Sequence, residues 1–414
     1  MERRTLAPRP HWRQRLEAVG MLWHDAGPEA ATSDAGGASQ AGGDAPVPQA
    51  GEDAPVLYWA EDAAYVFSAA EQQALEQDAQ AITDMVLAAT EEAISGGHLA
   101  ALGIPDFLEA AVRESWERDD PSVYLRLDLA YQPGGPPRLL EVNGQTPTSL
   151  LEAAVCQWQW LEDRLERGEM GGEIAPNAGQ WNTIHEALGE QWAHLRAARG
   201  VQEVCFSAAW NEEDIATVTY HRELANAAGL RTAFIHLDDL GLSRESDYLL
   251  DLWPRPIEHL MWLWPFEFAW DAAAGEQLAA THTRFIEPLW KAVTSSKGLL
   301  ALLHQLYPDD PRILPASLTP GTLPGPTVQK PLYSREGQNV RLPGQPATPG
   351  DYGGYPLIEQ AYAELPTFFA PDGPRYPVLG VWAAGDEVCG LGIREGRGRV
   401  TDNRASFVPH WIEG

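Results

Sequence analysis

The stretch that most limits what this chain can become runs from Val123 to Glu152, VYLRLDLAYQPGGPPRLLEVNGQTPTSLLE. Val123, Leu125, Leu127 and Leu129 alternate with Tyr124, Arg126 and Asp128, the period of a half-buried strand. Leu140 and Val142 alternate with Glu141 and Asn143, and the QPGGPP between the two runs reads as a hairpin loop. Pairing about the middle of that loop sets Asp128 opposite Glu141 and Arg126 opposite Asn143. Facing carboxylates repel unless something compensates them. A hard divalent cation held by Asp128, Glu141 and the amide oxygen of Asn143 would do so. A solvated sheet face with a chance pairing of charges is the plainer alternative.

A chain of 414 residues exceeds one simple core and implies two or three domains or one elaborate one. Its net charge of −30 argues against nucleic acid as a partner, because phosphate neutralisation needs an excess of Lys and Arg. The same charge is compatible with a cationic small molecule. Cys156, Cys205 and Cys389 are scattered, which fits a reducing compartment and forms no zinc motif. MERRTLAPRPHWRQRL has no apolar run behind its basic residues, and no segment approaches a membrane span. A cytoplasmic protein with no membrane partner is expected.

Residues 1–25 form an N-terminal segment, and 26–54, rich in Ala, Gly, Asp, Ser and Pro, read as a disordered insertion. Residues 55–175 hold helices and the hairpin. Ser68-x-x-Glu71 opens a helix apolar at Leu75, Ala79, Ile82, Val86 and Ala89 and stopped by Gly96-Gly97, and a second helix spans Pro105 to Glu117. Ser149-x-x-Glu152 opens another, apolar at Leu151, Ala154, Val155, Trp158 and Leu161. Thr146 and Thr148 then lie in a strand-to-helix turn, where hydroxyls either cap the helix or hold an anion. Residues 176–270 read as an α/β lobe whose helix from Glu212 begins with Glu212, Glu213 and Asp214; acidic first turns suit the helix dipole without any ligand. The run LMWLWPFEFAW reads as a buried strand followed by an irregular edge.

Residues 271–414 carry signs of phosphate chemistry. Ser295-Ser296-Lys297 starts a helix and places Lys297 in its first turn, the wrong sign for the dipole unless an anion is near. Thr327–Leu332 reads as a strand bearing Lys330, followed by Ser334–Asn339, a Gly-containing polar loop able to bend its amides over phosphate oxygens. Val378–Ala383 and Glu387–Arg394 form a hairpin whose Gly380, Gly390 and Gly392 would leave a face open to a ligand. Two lysines on separate elements, a Gly loop, an open hairpin and a three-oxygen cluster together point to a nucleotide with Mg²⁺.

Across RPHWRQRLEAVGMLWH, YWAEDAAYVFS, YLRLDLAY, LLEVNGQTPTSLLEAAVCQWQWLED, KPLYSREGQNV, VCGLGIREG and FVPH, the sequence resembles the glutathionylspermidine synthase family of permuted ATP-grasp ligases, in particular its shorter members without an amidase domain. The resemblance implies an α+β ATP-grasp fold with a preceding α/β lobe, and ATP and Mg²⁺ as cofactors. It implies metal ligands at Asp128, Glu141 and Asn143, and nucleotide contacts at Lys297, Lys330, Glu336, Gly337, the hinge Glu359-Gln360-Ala361-Tyr362, and Arg399-Val400-Thr401. Arg394 would serve the transferring phosphoryl group, and Arg126 would meet the carboxylate substrate. Thr146 and Thr148 stand where the family holds glutathione with serines, and Glu212 and Glu213 lie near its polyamine positions. The implied reaction joins a small-molecule carboxylate, glutathione-like or a peptide, to an amine, polyamines included, through an acyl phosphate. The chain departs from the family's E-x-N-A-D motif with Gly144 and Gln145, which bears on substrate identity more than on nucleotide binding. Near the end, Asn403 to Phe407 replace the usual Ser-Arg-Phe, and Arg404 takes no role. A non-catalytic ATP-binding module of the same fold, or a carbohydrate-active enzyme using two of its carboxylates, are the alternatives.

Overall fold

The computed structural model describes residues 1–25, 57–167, 174–175, 177–242, 247–272 and 275–413, so the 26–54 insertion lies outside the described residues. The chain begins with β1 (Glu2–Thr5) and α1 (Trp12–Ala18). After the insertion come β2 (Ala63–Ser68) and α2 (Ala69–Ser95), whose Ser68 hydroxyl accepts the Glu71 amide, as the capping box requires. α3 (Asp106–Glu117) leads into β3 (Tyr124–Ala130) and β4 (Arg138–Asn143).

The hairpin has the expected register: Asp128 faces Glu141 and Arg126 faces Asn143. Leu125, Leu127 and Leu129 are buried in one core with Leu75, Ala79, Ile82 and Val86 of α2. Each such side chain contributes about 1.5–3 kcal/mol on burial. A slip of one residue would drive Arg126 and Asp128 into that core, so packing locks the register. A bulge after Asp128 pairs Leu129 with Leu139 and leaves Leu140 unmatched, a departure from unbroken alternation.

The following helix differs from its expected form. Ser149 adopts φ 68°, and its hydroxyl turns to Tyr58 and Arg394 instead of capping the helix; a π-helical turn at Glu152–Cys156 precedes α4 (Gln157–Arg167). The wider turn rotates the buried face, so Trp160 is buried while Trp158 is 41 % exposed. The lobe follows as α5 (Ile184–Ala198), β5 (Glu203–Ala208), α6 (Glu212–Ala227), β6 (Arg231–His236) and β7 (His259–Leu263). The half of the aromatic run expected to be an irregular edge is instead a helix, α7 (Phe266–Asp271), with Phe266 and Trp270 buried. Next come β8 (Arg284–Ile286), α8 (Lys291–Ser295) and α9 (Leu299–Leu306). Lys297 sits in the turn between those two helices and not inside the first turn of α9. The chain ends with β9 (Thr327–Pro331), β10 (Leu357–Ala361), β11 (Gly373–Ala384), β12 (Glu387–Gly396), β13 (Ser406–Phe407) and β14 (His410–Glu413).

The main sheet runs β13-β12-β11-β3-β4, all neighbours antiparallel. The lobe has a parallel sheet, β8-β7-β5-β6, and β8 carries it past the boundary expected at residue 270. β9 and β10 pair antiparallel in a smaller sheet, while β1 and β14 flank β2. Among the described residues no helix is long and apolar enough to cross a membrane.

Candidate functional site

The site grows from the polar face of β3. Arg126 and Asp128 share that face and join through two contacts, Nε to Oδ1 at 2.6 Å and Nη2 to Oδ2 at 3.0 Å. Arg126 Nη1 also donates to the Thr148 carbonyl at 2.6 Å, tying the strand to the turn beyond β4. Gly380, opposite Asp128 on β11, makes room for this arginine: a Cβ there would lie 2.9 Å from Arg126 Cδ. The hairpin glycines expected to open a ligand face mostly admit protein instead. A Cβ at Gly390 would meet Ile184, and one at Gly392 would meet Phe407 and Ala153. Gly380 and Gly392 still line the cleft.

Across the hairpin, Glu141 Oε2 lies 3.1 Å from Lys297 Nζ, which also donates to the Ser334 carbonyl at 2.6 Å. Lys330 Nζ donates to the carbonyl of the bulged Leu140 at 3.0 Å and to Gln360 Oε1 at 2.9 Å. The bulge thus frees the acceptor that holds the second lysine. Burial works against the Glu141 charge, yet Lys297 and Lys330 outweigh it and bring its pKa down to about 2. Burial lowers Lys330 to about 8, with Glu141 opposing. Asp128 is held above the ordinary carboxylate range by burial, against the pull of Arg126.

Two connected clefts meet at Asp128, Glu141, Ser334, Glu336, Gly337 and Thr401. The first, about 130 Å³, takes in Arg126, Asn143, Thr146, Thr148, Glu213 and Arg394. The second, about 120 Å³, takes in Lys297, Lys330, Gln360, Ala361, Tyr362, Arg399 and Val400, with an apolar wall that includes Val328, Val340 and Leu365. Two expected residues lie elsewhere. The Glu359 carboxylate turns away from both clefts, where it accepts the amides of Gly321, Thr322 and Leu323 and the Thr327 hydroxyl. Glu212 lines a separate groove of about 960 Å³ and is parted from Glu213 by the turn of α6.

Tyr58, Ser149 and Arg335, assigned no site role from sequence, also line the first cleft. Ser149 accepts Arg394 Nη1 on its hydroxyl at 3.3 Å and donates its backbone N–H to Glu213 Oε1 at 3.0 Å. Its left-handed backbone, read from sequence as an ordinary cap, makes both contacts possible. Tyr58 packs 5.1 Å from the Arg394 guanidinium and donates to buried Glu152 at 2.8 Å. Arg335, within the polar loop, donates to Thr146 Oγ1 at 2.6 Å and to Glu267 at 3.2 Å. Gln145 spans to the lobe by accepting the Phe266 N–H at 2.9 Å and donating to the Trp264 carbonyl at 2.7 Å. A Cβ at Gly144 would overlap Thr294, so the alanine usual in the resembling motif has no room here.

The chain also matches the family model "Glutathionylspermidine synthase preATP-grasp" over residues 3–413. The chain belongs to the glutathionylspermidine synthase family. It is 35 % identical over 363 residues to a Haemophilus influenzae protein provisionally named an acid–amine ligase, covering 84 % of this chain and 89 % of that one. It is 26 % identical to trypanothione synthetase of Crithidia fasciculata, covering 78 % of this chain and 53 % of the relative. It is 24 % identical to the bifunctional glutathionylspermidine synthetase/amidase of Escherichia coli, covering 67 % of this chain and 47 % of the relative. The chain thus spans about half the length of these two longer relatives. A solved glutathione synthetase-like effector from Globodera pallida gives a TM-score of 0.49 at 10 % identity, covering 84 % of this chain and 89 % of that one, too distant a likeness to fix the fold. The names of these relatives share a ligase class.

A divalent cation is implied by the family resemblance, and the donor chemistry fits one. Among the described residues no cluster of three or more His, Cys, Asp or Glu side chains could hold a metal. Mg²⁺ does not need such a cage, since it takes one or two carboxylates together with substrate phosphates and water. Asp128, Glu141 and Asn143 line one cleft and offer hard oxygen donors.

Proposed function

We propose that this protein is an ATP- and Mg²⁺-dependent ligase of the ATP-grasp type that joins a carboxylate to an amine through an acyl phosphate. The observation that carries the reading is the meeting of two clefts at Asp128 and Glu141, with Arg126, Lys297 and Lys330 packed around them. A site with facing carboxylates and converging cations suits a reagent that brings both phosphates and a divalent ion.

In this reading ATP lies in the second cleft, its base against the apolar wall beside Gln360, Ala361 and Tyr362, and Arg399, Val400 and Thr401 flank it. Lys297 and Lys330 meet the phosphates, and the loop at Glu336 and Gly337, whose φ values are 55° and 68°, turns its amides toward them. Asp128, Glu141 and Asn143 would hold Mg²⁺, which would neutralise charge on the phosphates. The carboxylate substrate enters the first cleft against Arg126, Thr146 and Thr148, and Arg394 stabilises charge on the transferring group. Most of the rate enhancement in such a step comes from positioning and charge neutralisation. A glycosidase would leave Lys297 and Lys330 without a role, and Asp128 and Glu141 each already carry a cationic partner.

Incubating the protein with ATP, Mg²⁺, a panel of acids (glutathione, short peptides, amino acids) and a panel of amines, then reading ADP and new amides by mass spectrometry, tests the proposal. ADP release dependent on acid, amine and Mg²⁺ is expected. A thermal shift with Mg·ATP but no ADP release across the panels would instead favour a non-catalytic nucleotide-binding module.

A further inference from the structure

Five carboxylates line the two clefts: Asp128, Glu141, Glu213, Glu336 and Asp402. Four are engaged by other side chains: Asp128 by Arg126, Glu141 by Lys297, Asp402 by Arg404 and Glu336 by Asn403. Glu213 alone of the five has no ion pair and no side-chain hydrogen bond among the described residues. It takes a single backbone N–H, from Ser149, on Oε1. The residue keeps 8 % of its surface open, and it lines the first cleft. Ser149 is also the residue that receives Arg394, so Glu213 and Arg394 are held on the same few atoms.

An amine that must attack an acyl carbon arrives as an ammonium ion and has no lone pair until it loses a proton. A base within reach of the acyl group is therefore a chemical requirement. On the ligase reading above, we infer that Glu213 is the proton acceptor for the attacking amine. The ammonium proton passes to the Glu213 carboxylate. The freed lone pair forms the C–N bond, the C–O bond to the phosphoryl group breaks with its electron pair leaving on phosphate, and the second N–H proton departs with the phosphate. Glu212, its neighbour in sequence, cannot share this work, because it faces the separate groove.

The surroundings tune the group for that role. Burial and the charge of Glu152 push Glu213 up to about 8, with Asp214 adding to the rise and the Ser149 N–H and Arg394 opposing it. Arg126 and Tyr58 also line this cleft. An affinity for protons this high matches an alkylammonium far better than an ordinary carboxylate would.

The test compares Glu213→Gln with the wild type, using an acid that supports ADP release. Propylamine, ethanolamine and spermidine serve as charged acceptors, and hydroxylamine, uncharged at neutral pH, serves as the reference. The isosteric Gln keeps an acceptor for the Ser149 N–H, and a melting curve checks folding. With the charged amines, kcat for Glu213→Gln should fall roughly 100- to 10,000-fold. Hydroxamate formation with hydroxylamine should change little. The wild-type rate with a charged amine should rise with pH through about 8, and the variant should lose that step. A variant that only raises the amine KM, with kcat and the pH profile intact, would overturn the inference and leave Glu213 a binding residue. Equal losses with hydroxylamine and with charged amines would overturn it too. Absence of ADP release with every acid and acceptor would instead remove the ligase reading, and this inference with it.

Discussion

Glu213→Gln is expected to make the protein more stable near neutral pH, whatever the substrates are. In the folded chain Glu213 is raised from 4.5 to about 8, mainly by burial and then by Glu152. Below pH 4.5 the carboxyl is protonated in both folded and unfolded chains and costs nothing. Between 4.5 and about 8 the unfolded chain gives up this proton while the folded chain keeps it, so stability declines as pH rises through that window. At pH 7 the gap is some 2.5 units below which only the unfolded form has ionised; at about 1.4 kcal/mol per unit, and allowing for coupling to Glu152, this amounts to about 2–3 kcal/mol. Gln carries no such proton and escapes the decline. With roughly 2 cal/mol/K of unfolding entropy per residue, a chain of this size should gain about 2–4 °C in melting temperature. Differential scanning calorimetry at pH 4.5 and pH 7.5 reads the effect as a variant-minus-wild-type difference, near zero at the acid end and positive at the neutral end. A difference independent of pH, or a destabilised variant at pH 7.5, would refute the buried-carboxyl argument. The cost carried by the wild type is of the kind expected where function opposes stability.

Two further outcomes follow from the loops around the clefts. Gly337 holds φ 68°, and an added Cβ would come within 2.5 Å of Val400 Cγ1 and 2.8 Å of the Thr401 carbonyl; Gly337→Ala should weaken Mg·ATP binding roughly tenfold by calorimetric titration, since a left-handed non-glycine residue costs about 1–2 kcal/mol. Gln145→Asp loses the donor to the Trp264 carbonyl and leaves a charge where the residue is 1 % exposed, so it should destabilise by about 1–3 kcal/mol in a denaturant titration, and an unchanged midpoint would show the bridge to the lobe is dispensable.

The hairpin was legible because a period-two pattern and a Pro-Gly turn leave one register that buries leucines and exposes charge. The facing of Asp128 and Glu141 follows directly from that register. The bulge at Leu140 was not legible, since it depends on Lys330 and Gln360 arriving from a distant sheet to take up the freed carbonyls. Residue spacing identified the acidic start of α6 but not its division of labour. Successive helical positions turn about a third of the way round the axis, so Glu213 enters the first cleft while Glu212 faces away. Ser149 matched a capping box in sequence, yet its backbone N–H is committed to Glu213 and its hydroxyl to Arg394, a tertiary demand that overrides local preference. Arg335 and Gln145 stood in plain view in short loops, and only the approach of α7 and the end of β7 gives them partners. Local pattern thus located the strands and the cations, while contacts between separated segments determined which side chains share a cleft.

The central claim is that a substrate carboxylate is activated by phosphorylation before the amine attacks. The most direct measurement supplies the acid with both carboxylate oxygens replaced by heavy oxygen, lets turnover proceed with ATP and the amine, and weighs the released phosphate by mass spectrometry. The account predicts one heavy oxygen in each inorganic phosphate formed, because the C–O bond that breaks on amine attack leaves a carboxylate oxygen on phosphorus. Amide formed alongside phosphate of natural isotopic mass would contradict it.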